Sequence, residues 1–327
     1  MKRKLSLILA FALLASLLTG CGSAAPTAQD NGKLKIVTTI FPVYDWIVNI
    51  LGDRAENAEV TMLLDNGVDL HSYQPTADDM VKISSCDLFV YVGGESDAWV
   101  EDALREAVNK DMVVVDLLEA LGDAAKVEEL VEGMEEEEDE GDEGDEEEPE
   151  YDEHVWLSLS NAAALCPVIE NALESIDPES GAVYKANTAA YIEKLNKLDV
   201  SYREAVEAAG VKTLLFGDRF PFRYLADDYA LGYYAALTGC SAETEASFET
   251  IVFLANKVDE LGLHSILQIE SADGSIARTI RDNTQNKNQE ILTLDSMQST
   301  TSRDVAGGAS YLGIMEKNLA VLKAALG

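Results

Sequence analysis

The chain has 327 residues, 47% of them hydrophobic, and a formal net charge of −36, with 24 Lys and Arg against 60 Asp and Glu. Such a length favours two domains or lobes, each with its own hydrophobic core. The acidic balance argues against a nucleic-acid partner, because phosphate binding needs a basic face, and it makes cations the more natural ligands.

The N-terminal segment predicts export and lipid anchoring. Lys2–Lys4 precede an apolar run that is short for a membrane span, as in a signal peptide. The stretch LTGCGS resembles the lipobox of bacterial lipoproteins, so residues 1–21 are interpreted as a lipoprotein signal peptide with Cys21 as the lipidated residue. The alternative is a plain signal peptide with an incidental cysteine. We expect residues 22–32 to form a polar tether, and the lipid to hold the exported chain on the outer face of the cytoplasmic membrane.

The first part of the mature chain alternates between strand and helix patterns. We predict strands in LKIVTT, AEVTMLLD, CDLFVYVGG and MVVVDLL, separated by helices in FPVYDWIVNIL, in TADDMVKISS behind a Thr76 cap, and in DAWVEDALREAVNK. This alternation predicts a parallel α/β lobe, to which we assign residues 33–177.

A strongly acidic loop, residues 124–153, interrupts this lobe. From Glu135 to Glu153 nearly every residue is acidic or glycine, so the segment cannot bury enough apolar surface to fold by itself. Either these charged side chains only keep the loop hydrated, or they bind divalent cations with low affinity. The absence of histidine from it weakens the case for zinc in the loop itself.

A long helix separates the first lobe from the second. After a helix that starts near Ser160, residues 178–210 are assigned to one amphipathic linking helix of roughly 45 Å at ~1.5 Å per residue. Residues 211–327 repeat the alternation, with strands in VKTLLF, YYAALTG, HSILQIE and EILTLD and a last helix over Tyr311–Leu326. The predicted fold class is therefore α/β, with two parallel-sheet lobes joined by one long linking helix.

The three histidines of the chain are its scarcest candidate ligands. His71 lies between a strand and the Thr76-capped helix, and His154 lies at the end of the acidic loop, just before a helix. Open α/β sheets hold ligands in loops at the carboxyl ends of strands, so these two histidines are candidate ligand-binding residues. His264 enters a strand and is interpreted as structural.

The cysteines after the lipobox give a weaker signal. Cys86, Cys166 and Cys240 are an odd number in an exported chain, so one is free or all three are buried. Their spacing contains no CxxC, and we therefore do not predict a thiolate zinc site.

Several segments resemble the metal-specific solute-binding proteins of bacterial ABC transporters, the zinc and manganese group that includes the zinc-uptake lipoproteins. HSYQPTADD is similar to the family's first-ligand segment, and DEHVWLSLSNA to its second. VTTIFPVYDW, LFVYVGGESDAWV, the acidic insertion and YKANTAAYIEKLNKLD fit as well, so the resemblance covers essentially the whole mature chain.

The resemblance implies one metal between the lobes, held by two side chains from each. His71 and His154 match the two ligands from the first lobe. The third position, a histidine or glutamate before aromatic residues in the family, is Asp218 in GDRFPF, and the fourth matches Asp295 in EILTLDSMQS. The aspartate at the third position departs from the family pattern and leaves open which metal is bound.

Two imidazoles and two carboxylates suit a divalent cation. The carboxylates neutralise its charge, and four ligands fit tetrahedral zinc, whereas bidentate carboxylates suit manganese. We favour zinc as the bound cargo, with manganese as the alternative, because sites of nitrogen and oxygen hold zinc more tightly. The residues expected to support these ligands through hydrogen bonds or charge are Tyr73, Asp152, Glu153, Arg219 and Glu270.

The predicted function is capture of zinc outside the cell and delivery to an ABC transporter permease, by a monomer and without a chemical reaction. A zinc hydrolase would need an open coordination position and a general base, and the sequence contains neither HExxH nor GxSxG. A surface adhesin or sensor on the same scaffold stays an alternative, since a fold does not fix a function.

Overall fold

The structure is a computed structural model that describes residues 32–134, 150–241 and 245–327. Cys21, most of the tether and residues 135–149 of the acidic loop lie outside the described residues. From Leu34 onward the chain forms one unit that contains two four-stranded parallel sheets. No helix among the described residues is both long and apolar enough to cross a membrane.

The first sheet contains the four strands predicted in the first lobe. They are β1 (Leu34–Thr38), β2 (Ala58–Met62), β3 (Leu88–Tyr91) and β4 (Val113–Asp116), in the order β2-β1-β3-β4. The helices between and after them are α1 (Phe41–Leu51), α2 (Ala77–Ser84), α3 (Val100–Arg105) and α4 (Leu117–Leu121). β1 and β3 lie in the middle of the sheet and are mainly apolar because both faces of a parallel sheet are covered.

Side-chain caps fix where the helices next to the candidate histidines begin. Thr76 Oγ1 accepts a hydrogen bond from the Asp79 backbone N–H at 3.2 Å, and Asp79 Oδ2 accepts one from the Thr76 N–H at 3.0 Å. Ser158 Oγ likewise accepts from the Asn161 N–H at 2.9 Å at the start of α5 (Leu159–Ile176). Caps of this kind contribute about 1 kcal/mol each and set where the helices that follow His71 and His154 begin.

The predicted linking helix is α6, Gly181–Ala208, and its 28 residues span roughly 42 Å. Pro178–Ser180 form a separate single turn before it, so the helix begins three residues later than the sequence pattern suggested. The helix packs against α1 and α5. Its large buried side chains share one face: Tyr184, Tyr191, Leu195, Leu198 and Tyr202. Packing of this face, rather than helix propensity alone, stabilises so long a helix.

The second sheet repeats the parallel arrangement. It contains β5 (Thr213–Phe220), β6 (Gly232–Thr238), β7 (Ser265–Gln268) and β8 (Glu290–Thr293), in the order β6-β5-β7-β8. The helices of this half are α7 (Arg223–Asp228), α8 (Phe248–Leu261), α9 (Ser275–Asn283), α10 (Ser302–Ala306) and α11 (Tyr311–Leu326). The predicted fold class is confirmed, although the short α10 was not predicted.

One prediction about β5 is wrong. The sequence pattern placed Asp218 in a loop after the strand, but β5 continues to Phe220 and Asp218 lies within it. The pairing with β6 shifts register between Phe216 and Arg219 and then resumes, so Asp218 sits at an irregularity of the strand. Such bulges re-aim individual side chains, which an apolar run in the sequence does not reveal.

The two halves of the structure share buried hydrogen bonds. Trp156 Nε1–H donates to the Ser296 carbonyl at 2.9 Å, and the Tyr311 hydroxyl donates to the Trp156 carbonyl at 2.6 Å. One turn further along α11, the Tyr202 hydroxyl of the long helix donates to the Met315 carbonyl at 2.6 Å. The last helix of the second half is therefore held against elements of the first half.

Candidate metal centre

The candidate ligands are placed differently with respect to the strands: His71 and Asp295 follow β2 and β8, His154 follows the acidic loop, and Asp218 lies within β5. His71 lies in a single turn, Leu70–Ser72, whose start is capped by Asp69: its Oδ1 accepts from the His71 N–H at 3.0 Å. His154 precedes the turn Val155–Leu157 and is completely buried.

The structure brings His71 and His154 together although 83 residues separate them. Their Nε2 atoms lie 3.1 Å apart, and the ring centroids are 5.0 Å apart. Zn–N distances of 2.0 to 2.1 Å at a tetrahedral centre would place two such nitrogens roughly 3.3 Å apart. The imidazoles therefore have nearly the separation that one shared metal ion requires.

Acidic neighbours orient both imidazole rings. His154 Nδ1 lies 3.0 Å from Asp152 Oδ1, while His71 Nδ1 lies 2.9 Å from Ser96 Oγ and 3.4 Å from Glu153 Oε2. Asp152 and Glu153 thus contact the imidazoles, in agreement with the supporting role proposed for them. An imidazole whose Nδ1 carries the hydrogen presents a bare Nε2 lone pair, which is the form that binds metals.

The charges around the site shift the pKa values of His154 and Glu153. Burial alone would lower the pKa of His154, but the carboxylate of Asp152 outweighs it, and the pKa is raised above its ordinary value. Burial alone would raise the pKa of Glu153, but the hydrogen bonds from His71 and Ser96 hold it below its usual range. The site is therefore rich in negative charge and favours a cation.

The sulfur atom of Cys240 lies close to the two imidazoles. Cys240 follows β6, and its sulfur and one ring nitrogen from each of His71 and His154 all lie within 4.8 Å of one another. In the part of the chain that the structure describes, this is the one group of three His, Cys, Asp or Glu residues arranged in this way. Burial raises the pKa of Cys240 well above its ordinary value, and the negative charges of Asp152 and Glu128 add to the effect.

The two aspartates predicted as ligands are not in that group. Asp218 is buried; its Oδ1 accepts from the Arg219 N–H at 2.8 Å and its Oδ2 from the Ile269 N–H at 3.0 Å. Asp295 Oδ1 accepts from the Met297 N–H at 2.8 Å. Burial raises the pKa of Asp218, and it raises that of Asp295 to about 6 with a further contribution from the charge of Glu270.

Arg219 connects the two halves beside the site. Its Nη2 lies 2.7 Å from Asp69 Oδ2, and its Nη1–H donates to the Ser241 carbonyl at 3.1 Å. Burial alone would raise the pKa of Asp69, but His71 and Arg219 hold it below its usual range. The guanidinium therefore joins the turn that carries His71 to the segment that carries Cys240, a role that its position next to Asp218 did not reveal.

Two other expected supporting residues have different partners. The Tyr73 hydroxyl donates to Asp79 Oδ2 at 3.1 Å and supports the cap of α2 rather than a histidine. Glu270 accepts hydrogen bonds from the Ser296 N–H at 2.7 Å and from the Ser299 hydroxyl at 3.2 Å. It shapes the segment that carries Asp295, next in sequence to Ser296.

The described ends of the acidic loop lie against the second sheet and its helices. Lys126 pairs with Asp227 at 2.9 Å, Arg223 pairs with Glu129, and Glu128 Oε1 accepts from the Cys240 N–H at 3.1 Å. Burial raises the pKa of Glu128, and the Cys240 N–H opposes this only in part. The segment that leads into the acidic run therefore reaches the metal centre.

The sequence pattern missed Cys240 because it contains no paired thiols. Cys86, Cys166 and Cys240 are all free of disulfides; the first two are completely buried, whereas Cys240 is partly exposed. The sequence feature that could have identified Cys240 as a candidate ligand is its position directly after the predicted strand YYAALTG. His264, interpreted as structural, is exposed and lies apart from the site.

Comparison with known proteins supports the motif-based resemblance. The model of the family described as "Zinc-uptake complex component A periplasmic" (ZnuA) matches residues 36–325. The chain is 35% identical over 323 residues to the zinc-binding lipoprotein AdcA of Streptococcus pneumoniae, with 98% of this chain and 60% of that protein covered. It therefore spans about three fifths of that relative's length.

Two further matches extend over nearly the whole length of both chains. The high-affinity zinc uptake system protein ZnuA of Bacillus subtilis is 32% identical over 314 residues, which cover 95% of this chain and 94% of that protein. The crystal structure of the Zn(II)-bound ZnuA-like domain of S. pneumoniae AdcA has a TM-score of 0.69 at 31% identity, with 90% of this chain and 99% of that one covered. The chain belongs to the ZnuA family of zinc-uptake components.

Proposed function

We propose that this chain captures a divalent metal ion, zinc, outside the cell and delivers it to the permease of an ABC transporter. The observation that carries the proposal is the pair of Nε2 atoms of His71 and His154, which face each other at 3.1 Å. Two bare nitrogen lone pairs at this distance repel unless a proton or a cation lies between them. The surrounding carboxylates favour a metal cation.

We propose Asp218 and Asp295 as the ligands from the second lobe. Both carboxylates accept backbone hydrogen bonds, but an ionised carboxylate has about four lone-pair sites and can bind a metal at the same time. Backbone N–H groups of this kind orient a ligating carboxylate. A movement between the lobes would bring these oxygens to the metal held by the imidazoles.

Zinc is favoured over manganese on chemical grounds. Imidazole nitrogens suit zinc, and sites of a given donor set bind zinc more tightly than manganese. The family to which the chain belongs is named for zinc uptake, which supports the same assignment.

We propose that the carrier is anchored and monomeric. Cleavage before Cys21 would leave this residue to carry the lipid that holds the protein on the outer face of the cytoplasmic membrane. Capture and release of a metal need no general base, so we expect no enzymatic turnover.

Metal titration of the purified full chain tests the proposal. We expect one tightly bound Zn²⁺ per chain, displacement of bound Mn²⁺ by Zn²⁺ as read by elemental analysis, and no hydrolytic activity in a substrate screen. Zinc-dependent hydrolysis would overturn the carrier function, and retention of Mn²⁺ against equimolar Zn²⁺ would overturn the choice of metal.

A further inference from the structure

A cysteine outside the predicted ligand set lies beside the two histidines. We propose that the thiolate of Cys240 coordinates the metal together with His71 and His154, as a donor from the second lobe. The inference rests on the proposed metal-binding function and changes its ligand set: in a four-coordinate centre the sulfur takes the place of one of the two proposed aspartate ligands. Its basis is the grouping of the Cys240 sulfur with a ring nitrogen from each histidine within 4.8 Å.

Backbone contacts hold the Cys240 segment against His154. A Cβ added at Gly239 would lie 3.2 Å from His154 Cε1 and 2.8 Å from the Phe220 carbonyl oxygen, so only a residue without a side chain allows this approach. The sulfur is thus held next to the imidazole by the packing of one lobe on the other.

The same segment is fixed on both sides of the cysteine. Glu128 Oε1 accepts from the Cys240 N–H at 3.1 Å, and the Ser241 carbonyl accepts from Arg219 Nη1–H at 3.1 Å. Arg219 in turn pairs with Asp69, two residues before His71. Arg219 and Asp69 therefore link the backbone next to Cys240 to the turn that carries His71. Metal ligands are generally held by supporting contacts of this kind.

The other two described cysteines have the environment of ordinary core residues. The Cys86 thiol donates to the Ile83 carbonyl at 3.2 Å, and Cys166 is completely buried in the middle of α5. Cys240 differs because it is partly exposed and faces two imidazoles rather than apolar side chains. The three residues thus offer matched comparisons within one chain.

A thiolate ligand would decide metal selectivity. Zinc binds thiolate at about 2.3 Å and imidazole at about 2.0 Å, whereas Mn²⁺ prefers oxygen donors. A tetrahedral centre places sulfur and nitrogen donors roughly 3.6 Å apart, and the three atoms now lie within 4.8 Å, so the sulfur has to approach the imidazoles by roughly 1.2 Å at most. When the metal–sulfur bond forms, the thiol releases its proton to solvent, and neither metal nor sulfur changes oxidation state.

The test is Co²⁺ and Zn²⁺ binding to the full chain and to Cys240→Ala, with Cys166→Ala as the matched control. We expect Co²⁺-loaded wild type and Cys166→Ala to show a thiolate-to-cobalt charge-transfer band that Cys240→Ala lacks. Zn²⁺ affinity should fall at least about 100-fold in Cys240→Ala and stay unchanged in Cys166→Ala. Cys240→Asp should bind Mn²⁺ at least about 10-fold more tightly relative to Zn²⁺ than wild type does.

A chemical readout separates ligation from a merely structural effect. Peptide mapping after alkylation should show Cys240 protected by stoichiometric Zn²⁺ and reactive without it. Tight Zn²⁺ binding by wild type with no charge-transfer band, no protection and unchanged affinity in Cys240→Ala would overturn this inference and leave the proposed carrier function intact. Failure of wild type to bind Zn²⁺ at all would overturn the carrier function itself.

Discussion

The Nε2 atoms of His71 and His154 face each other at 3.1 Å, while the Nδ1 atoms of both rings point towards oxygen partners. Each Nδ1 is within hydrogen-bonding distance of Asp152 or Ser96, and in the tautomer that carries the hydrogen on Nδ1 both neutral rings direct their Nε2 lone pairs at one point. A divalent cation at that point would be bound by both nitrogens and would gain from the surrounding carboxylates.

Removing either imidazole should abolish tight zinc binding. We expect His71→Ala and His154→Ala each to weaken Zn²⁺ binding by at least about 100-fold, because two imidazoles form the core of the site. His264→Ala is the control, since His264 is exposed and outside the site, and it should bind as wild type does. Isothermal titration calorimetry measures all three; wild-type affinity in His154→Ala would refute the site.

The carboxylate behind His154 should set both zinc affinity and its pH dependence. In Asp152→Asn we expect zinc affinity to fall roughly 10- to 100-fold, as for other groups that orient a metal-bound histidine. The pKa of His154, which Asp152 raises, should fall, so protons compete with Zn²⁺ only at lower pH than in wild type. Zinc titrations across pH 5 to 8 would contradict this if the midpoint of proton competition did not move. Asp111→Asn, on an exposed loop, is the control.

The ion pair between Arg219 and Asp69 should couple the lobes to metal binding. A double-mutant cycle of Arg219→Gln and Asp69→Asn is expected to show a coupling on the order of 1 kcal/mol in the free energy of zinc binding. The pair of Arg203 and Asp199 is the control, because it lies within one helix and Arg203 is half exposed. If the two substitutions had additive effects on the free energy of zinc binding in both cycles, the ion pair between Arg219 and Asp69 would not couple the lobes to metal binding.

Asp45 should make the folded state less stable as the pH rises. Burial raises its pKa to about 6, so between about pH 4 and pH 6 the folded chain holds a proton that the unfolded chain has lost. By linkage, the free energy of unfolding then falls as the pH rises through this window. Asp45→Asn removes the effect, so its stability relative to wild type should rise by roughly 2 to 3 kcal/mol between about pH 4 and pH 7. Urea unfolding at several pH values, with Asp111→Asn as control, would refute this if the difference stayed constant.

Charge in the acidic run should not determine the stoichiometry of the main site. Changing the Asp and Glu residues of 135–149 to Asn and Gln keeps the length of the segment and removes its charge. We expect one tightly bound Zn²⁺ in both forms and the loss of any additional weak Zn²⁺ or Ca²⁺ binding in the neutral variant. Competition titrations against a chelator of known affinity distinguish the two classes of sites, and loss of the tight site would show that the run is part of it.

Local patterns in the sequence determined the fold class and identified the two histidines of the candidate centre. Apolar runs alternating with helical spacing predicted two parallel sheets, because burial of strands and of helix faces is a property of neighbouring residues. His71 and His154 could be chosen as candidates because they lie in loops just before predicted helices, and Asp152 because it is two positions before His154. All of these signals come from residues that lie close together in the sequence.

Only the tertiary structure decided which distant side chains meet. Cys240 lies 86 positions from His154 and 169 from His71 in the sequence, and its approach depends on how the second lobe packs against the first at Gly239. The same holds for the bond between Arg219 and Asp69, 150 residues apart. The physical reason is that lobe packing is a sum of many weak contacts over the whole interface, and no single segment of the sequence contains it.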